Sequence, residues 1–143
     1  MAPFTTGQAQ DADVFDYLRV DAFMQTMVGA GALAAAFQLG LIDSLLENRP
    51  ETFERLVGKI GIDEPALKLL VELLAANRVL STQEGRIRFR PEFEQALRYR
   101  DLMEAKVAFT TYVASDFTNL FTALMTNPLR FFQQARIFDL FSY

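Results

Sequence analysis

From Ala30 to Arg90 the chain strings short helical segments between sharp stops and then switches to a two-residue alternation, an order that leaves few folds open. A small-residue helix, Ala30–Gly40, runs into the phrase Leu39-Gly40-Leu41-Ile42-Asp43-Ser44-Leu45-Leu46. A short helix is expected over Thr52–Lys59 and a leucine-rich one over Pro65–Asn77, with Gly61-Ile62-Asp63 breaking the chain between them. Asp63 stands as an N-cap just ahead of a first-turn proline. Val79–Arg90 reads as a hairpin turning at Glu84-Gly85, in which Ile87 and Phe89 alternate with Arg86, Arg88 and Arg90. That period of two suits a strand with one buried face, and Pro91 ends its ladder. Leu45, Leu46, Phe53, Leu56, Val57, Leu67, Leu70, Val71 and Leu74 have the spacing of a three-helix core. Helix, helix and hairpin together give the order of a winged helix.

The flanks are helical and more apolar than a free surface permits. Met1–Gln10 is small and polar and is expected to fray. Asp11 or Asp13 can cap a helix running to about Val28. On a helical wheel this segment carries two apolar stripes, Tyr17, Val20, Met24 and Met27 on one and Phe15, Leu18 and Ala22 on the other. A surface helix needs one stripe; two imply burial from two directions. Phe15, Tyr17, Leu18, Val20, Met24 and Met27 are therefore candidates for a subunit interface.

Beyond a short helix at Glu92–Leu97, a long helix is expected from Asp101 to about Met125, its apolar residues recurring every three or four positions from Leu102 to Leu124. Asn127-Pro128 opens a last helix, Leu129–Phe141, rich in phenylalanine. Phe109, Tyr112, Phe117, Phe121 and Met125 are expected mostly as core at helical spacing. With 143 residues, 51% of them hydrophobic, the chain suits a single mainly α domain. Its parts are an N-terminal arm and helix (1–28), a winged-helix-like core with one small hairpin (29–100), and long aromatic helices (101–143). Left uncovered, the aromatic helices would form an apolar patch of the kind soluble monomers avoid, so a covering partner and further chain are both expected.

Chemistry-bearing residues are sparse. The chain has neither histidine nor cysteine, which removes His-based acid–base catalysis, thiolate zinc sites and disulfides from what these 143 residues can supply. Gly29-Ala30-Gly31-Ala32-Leu33-Ala34 formally fits the G-x-G-x-x-A nucleotide pattern. Such a site needs a buried strand just before it, and Asp21–Val28 has helical spacing instead. Small residues permitting close helix approach are the better account. Glu92 and Glu94, and Asp11, Asp13 and Asp16, read as caps and dipole partners at helix starts. A net charge of −4 argues against a general nucleic-acid binder. Arg86, Arg88 and Arg90 could still grip phosphates, but the preceding helix offers mainly Lys68, Glu72 and Asn77 to a groove, a poor base reader. No stretch reaches about 20 uninterrupted apolar residues, Ala30–Leu46 coming closest, and no signal-peptide layout precedes Arg19. A cytoplasmic protein without membrane or nucleic-acid partners is expected.

The wording of three segments is more specific than the fold. AFQLGLIDSLL, ERLVGKIGIDEPALKLLVELLAANRVL and GRIRFRPEF resemble the N-terminal dimerisation region of S-adenosylmethionine-dependent O-methyltransferases of the plant and polyketide type. The resemblance spans roughly residues 20–143. It implies a homodimer whose helices intertwine, and a parent enzyme that methylates a hydroxyl on a small, largely apolar acceptor. It further implies that Phe109, Tyr112, Phe117, Phe121 and Met125 help wall the acceptor pocket. In that family the glycine-rich cofactor loop, the ribose-holding acid and the His base lie in the following domain. This chain is accordingly expected to bind no cofactor and to be catalytically silent alone, with S-adenosylmethionine serving the full-length parent. A winged-helix transcriptional regulator is the alternative.

Overall fold

The computed structural model describes residues 20–141, with side chains through residue 139. The expected fraying of Met1–Gln10, the start of the first helix, and the interface candidates Phe15, Tyr17 and Leu18 lie outside the described residues. Helix α1 (Val20–Gln38) leads to α2 (Leu41–Glu47), a two-residue strand β1 (Glu51–Thr52), α3 (Phe53–Ile60) and α4 (Glu64–Ala76). The hairpin β2 (Leu80–Gln83) and β3 (Arg86–Phe89) follows, then α5 (Pro91–Ala96) and a 3-10 turn over Leu97–Tyr99. The long α6 (Arg100–Thr126), α7 (Pro128–Gln134) and a 3-10 segment, Arg136–Phe141, complete the described chain.

Local chemistry sets the boundaries of the central elements. The Asp63 carboxylate accepts from the Ala66 N–H at 2.9 Å and caps α4, while Thr52 Oγ1 accepts from the Arg55 N–H at 3.4 Å and caps α3. The hairpin turns on Glu84 (φ 52°) and Gly85 (φ 71°). Two successive left-handed residues make the tight turn whose twist matches that of the flanking strands. Register then follows, with Leu80 opposite Phe89 and Thr82 opposite Ile87. A third strand, unexpected from sequence, pairs Glu51 with Ile87 and Thr52 with Arg86, giving the antiparallel order β1-β3-β2. Two residues are too few to show an alternation pattern.

The core closes around Leu41, Ile42, Leu45, Leu56, Leu67 and Leu74, with Leu80 and Ile87 of the sheet beneath them. Leu70 and Val71 are also buried, and Leu46, Phe53 and Val57 pack partly buried against the cluster, so every expected core position of the middle segment contributes. On β3 the arginines face out and Ile87 and Phe89 face in.

Two elements depart from expectation. The helix expected to stop near Val28 and the small-residue helix expected from Ala30 are one unbroken helix, running through Gly29 and Gly31 to Gln38. Glycine weakens a helix by up to about 1 kcal/mol per residue relative to alanine, and packing offsets this here. Gly29 is buried so tightly against α4 that a Cβ would lie 2.6 Å from Asn77 Oδ1. At the other end, the helix expected over Leu129–Phe141 breaks at Ala135, which is extended (φ −71°, ψ 124°). The amides of Arg136 and Ile137 turn instead to the Asp116 carboxylate on α6, at 3.0 and 2.7 Å. A side-chain acceptor has outcompeted the helical carbonyls.

By length and apolar composition α1 is long enough to cross a membrane, although no stretch was expected to be. Asp21, Gln25, Thr26 and Gln38 interrupt the run in sequence but leave it apolar on average. Its C-terminal half packs into the core through Ala32, Ala36 and Phe37, whereas Val20, Phe23, Met24, Met27 and Val28 are exposed. The uncovered part is the N-terminal half.

Candidate functional site

Helix α6 inverts the usual arrangement of a soluble helix. Its one buried residue is Asp116, 3% exposed, while Phe109 and Phe117 are each 44% exposed and Met125 is 63% exposed. The sequence-based expectation that most of these aromatic positions are core fails for the described chain. The periodicity is real, but nothing within these residues covers it. Phe109 and Phe117 join Phe23 of α1 around a groove of about 450 Å³.

That groove continues into a second one of about 390 Å³ between the two helices, floored by Ala30, Gly31 and Ala114 with Met27 at its side. Three of the threonines that line it have their hydroxyls engaged by their own helices. The hydroxyls of Thr26, Thr110 and Thr111 donate to the carbonyls of Ala22, Lys106 and Val107, four residues back in their own helices, at 2.8, 2.8 and 3.0 Å. With those polar atoms already satisfied, the trough is apolar. Small residues in the floor and bulky exposed ones at the edges make a shape that large side chains from another surface can enter.

Beyond it lies a small aromatic cluster separate from the main core. Phe131 is buried at its centre, with Phe117, Phe132 and Phe138 around it at ring-centroid distances of 6.1, 5.8 and 6.4 Å. Phe121 stacks beside Phe117 at 6.0 Å. The Asp116 clasp draws the segment after Ala135 onto α6 and so holds this cluster together. Sequence reasoning missed Asp116. The signal was a carboxylate flanked by Val113, Ala114 and Phe117, the one charged residue between Lys106 and Arg130.

Tyr112 points to the other side of α6. It lines a cavity of about 370 Å³ together with Ala34, Phe37, Gln38, Val107 and Arg136. The Arg136 guanidinium lies 5.2 Å from the Tyr112 ring centroid. The five residues expected to wall an acceptor pocket are thus split. Phe109, Phe117 and Phe121 face the groove or the aromatic cluster, Tyr112 the cavity, and Met125 solvent.

Helix α6 is fastened to the core at its start. Arg100 donates through both terminal nitrogens to Asp43 of α2, Nη2 to Oδ2 at 3.1 Å, and its Nε lies 3.4 Å from Glu104. Its guanidinium also lies 5.4 Å from the Phe37 ring centroid. The hydrogen bonds from Arg100 hold the Asp43 carboxyl below its ordinary pKa, and Asp43 in turn raises that of Arg100.

The glycine pattern Gly29–Ala34 lies wholly inside α1, where backbone N–H groups bond within the helix and Gly29 is closed off by Asn77. Those residues do not fit an S-adenosylmethionine cradle, which needs free N–H groups at a helix N-terminus.

The described residues thus combine a closed, mainly helical core and a small three-stranded sheet with an apolar helical face left open. The chain belongs to the O-methyltransferase dimerisation domain family, whose model matches residues 19–96. Among solved structures, the S-adenosylmethionine-dependent methyltransferase SibL in its apo form matches with a TM-score of 0.64 at 18% identity, over 76% of this chain and 33% of that one. At that identity the likeness is one of fold, and this chain spans about a third of the SibL chain. No curated protein matches.

Proposed function

We propose that this chain is the dimerisation and acceptor-lining part of an S-adenosylmethionine-dependent O-methyltransferase that works as a homodimer. Methyl transfer to a hydroxyl of a small, largely apolar acceptor takes place in a catalytic domain outside these residues. The observation that carries the reading is the open face of α1 and α6, where Phe23, Met27, Phe109 and Phe117 are exposed around the grooves between the two helices. Covering a large aromatic or aliphatic side chain contributes roughly 1.5–3 kcal/mol, so such a face favours a permanent partner. Self-association through one surface on both copies is the commonest way to supply it.

The regulator alternative rests on Arg86, Arg88 and Arg90. Arg88 is engaged by Gln83, and Lys68, the cation that α4 would offer to a DNA groove, is tied to Glu64 at 2.6 Å. Those pairings favour assembly over nucleic-acid readout.

Calorimetric titration of this chain with S-adenosylmethionine tests the division of labour. No heat of binding is expected up to millimolar cofactor. Micromolar affinity would place cofactor chemistry within these residues and defeat the reading.

A further inference from the structure

The cavity on the Tyr112 side of α6 has a chemistry unlike that of the apolar groove. Phe37, Ala34, Val107 and Ala108 form an apolar wall, and Arg136 sits at its edge over the Tyr112 ring. A guanidinium held over an aromatic ring by cation–π attraction still has N–H donors to spare, and a carboxylate can take two of them in parallel. Among the described residues no carboxylate lies in ion-pair range of the Arg136 guanidinium, and no side chain accepts from it. Arg49, the arginine at the cavity beside Pro50, is by contrast taken up by Glu94.

Asp116 and Glu104 are both engaged elsewhere. Both oxygens of Asp116 are occupied by the backbone N–H groups of Arg136 and Ile137, which also fix where the Arg136 side chain begins. Glu104 lines the same cavity but is paired with Arg100 at 3.4 Å. It also lies eight residues before Tyr112, roughly 12 Å along the helix.

We propose that this cavity binds a single-ring aromatic carboxylate, with the ring against Phe37 and Val107 and the carboxylate on Arg136. Its volume of about 370 Å³ lies near the small end of ligand pockets and suits one ring better than several. The proposal rests on the acceptor-lining reading and sharpens it, from a largely apolar acceptor to one with an anionic end.

The test is an NMR titration of this chain with 2-hydroxybenzoate, its neutral counterpart 2-hydroxybenzamide, and acetate, following the Tyr112 ring and Arg136 side-chain resonances. The benzoate should bind about tenfold more tightly than the amide, as a charge-assisted contact implies, and acetate should not bind. Arg136→Gln should remove that preference and Arg136→Lys should restore part of it. The Arg136 and Ile137 amides, which do not depend on that side chain, should stay protected from exchange. Should Arg136→Gln fail to fold, the comparison of acid and amide on the unaltered chain decides. Equal binding of acid and amide, no binding of the acid at about 10 mM, or an unchanged preference in Arg136→Gln would overturn the proposal. Each of those outcomes leaves the assembly reading standing, since the oligomeric state tests that separately.

Discussion

Arg100, the first residue of α6, clasps Asp43 of α2 with both terminal guanidinium nitrogens, so the long helix is tied to the core at the point where it departs. The side chains are 31% and 50% exposed, which makes this a screened surface pair. Because folding lowers the Asp43 pKa from its ordinary 3.8, the pair stabilises above about pH 4 and its contribution is lost as pH falls through the lower folded value. Asp43→Asn should lower stability at pH 7 by about 0.5 kcal/mol, or roughly 2 °C in Tm. Thermal melts of both proteins should converge below pH 4 and in high salt. A gap that does not narrow as the pH falls below the ordinary carboxylate range would mean that the pair acts through something other than charge.

The Asp116 clasp makes a stronger prediction. Removing the carboxylate leaves two inward-turned N–H groups without an acceptor, at a cost of about 1–3 kcal/mol. Asp116→Ala should therefore release the segment after Ala135 and loosen the packing around Phe131. Hydrogen exchange is the measurement: the Arg136 and Ile137 amides should lose protection while amides of the winged-helix-like core keep theirs. Unchanged protection at those two amides would refute the role assigned to Asp116.

How much of this was legible in the sequence depends on the range of the forces involved. The caps at Thr52 and Asp63, the Glu84-Gly85 turn and the faces of β3 are set by residues within a few positions of each other, and the sequence exposes them directly. The third strand and the continuous α1 depend on contacts across the fold, Glu51 with Ile87 and Gly29 with Asn77, which no local pattern encodes. Periodicity marked the apolar residues of α6 correctly but could not say what covers them. The clasp between Asp116 and Arg136 spans 20 residues and overrode a helix that propensity favoured.

Gly31 separates the needs of the single chain from those of the assembly. A Cβ there meets nothing within 4 Å, and the residue lies inside a helix, so Gly31→Ala should raise the stability of the chain by up to about 1 kcal/mol. Gly31 also floors the α1–α6 groove. Gly31→Leu would fill that groove and should weaken self-association while the fold is kept. Circular dichroism reads the first effect and sedimentation velocity the second. A leucine variant that associates as tightly as the unaltered chain would place the interface elsewhere.

The most direct test of the account is the mass of the chain in solution. Multi-angle light scattering at micromolar concentration should give about twice the 16.2 kDa of one chain. A stable interface of the obligate kind would bury upwards of about 2,000 Å² in total. Met24 is 46% exposed in the uncovered N-terminal half of α1, so Met24→Asp should shift the protein toward monomer or aggregate without disturbing the core. A unaltered chain that stays monomeric at 16.2 kDa across that range, with Met24→Asp indistinguishable from it, would contradict the claim that this domain exists to bring two copies together.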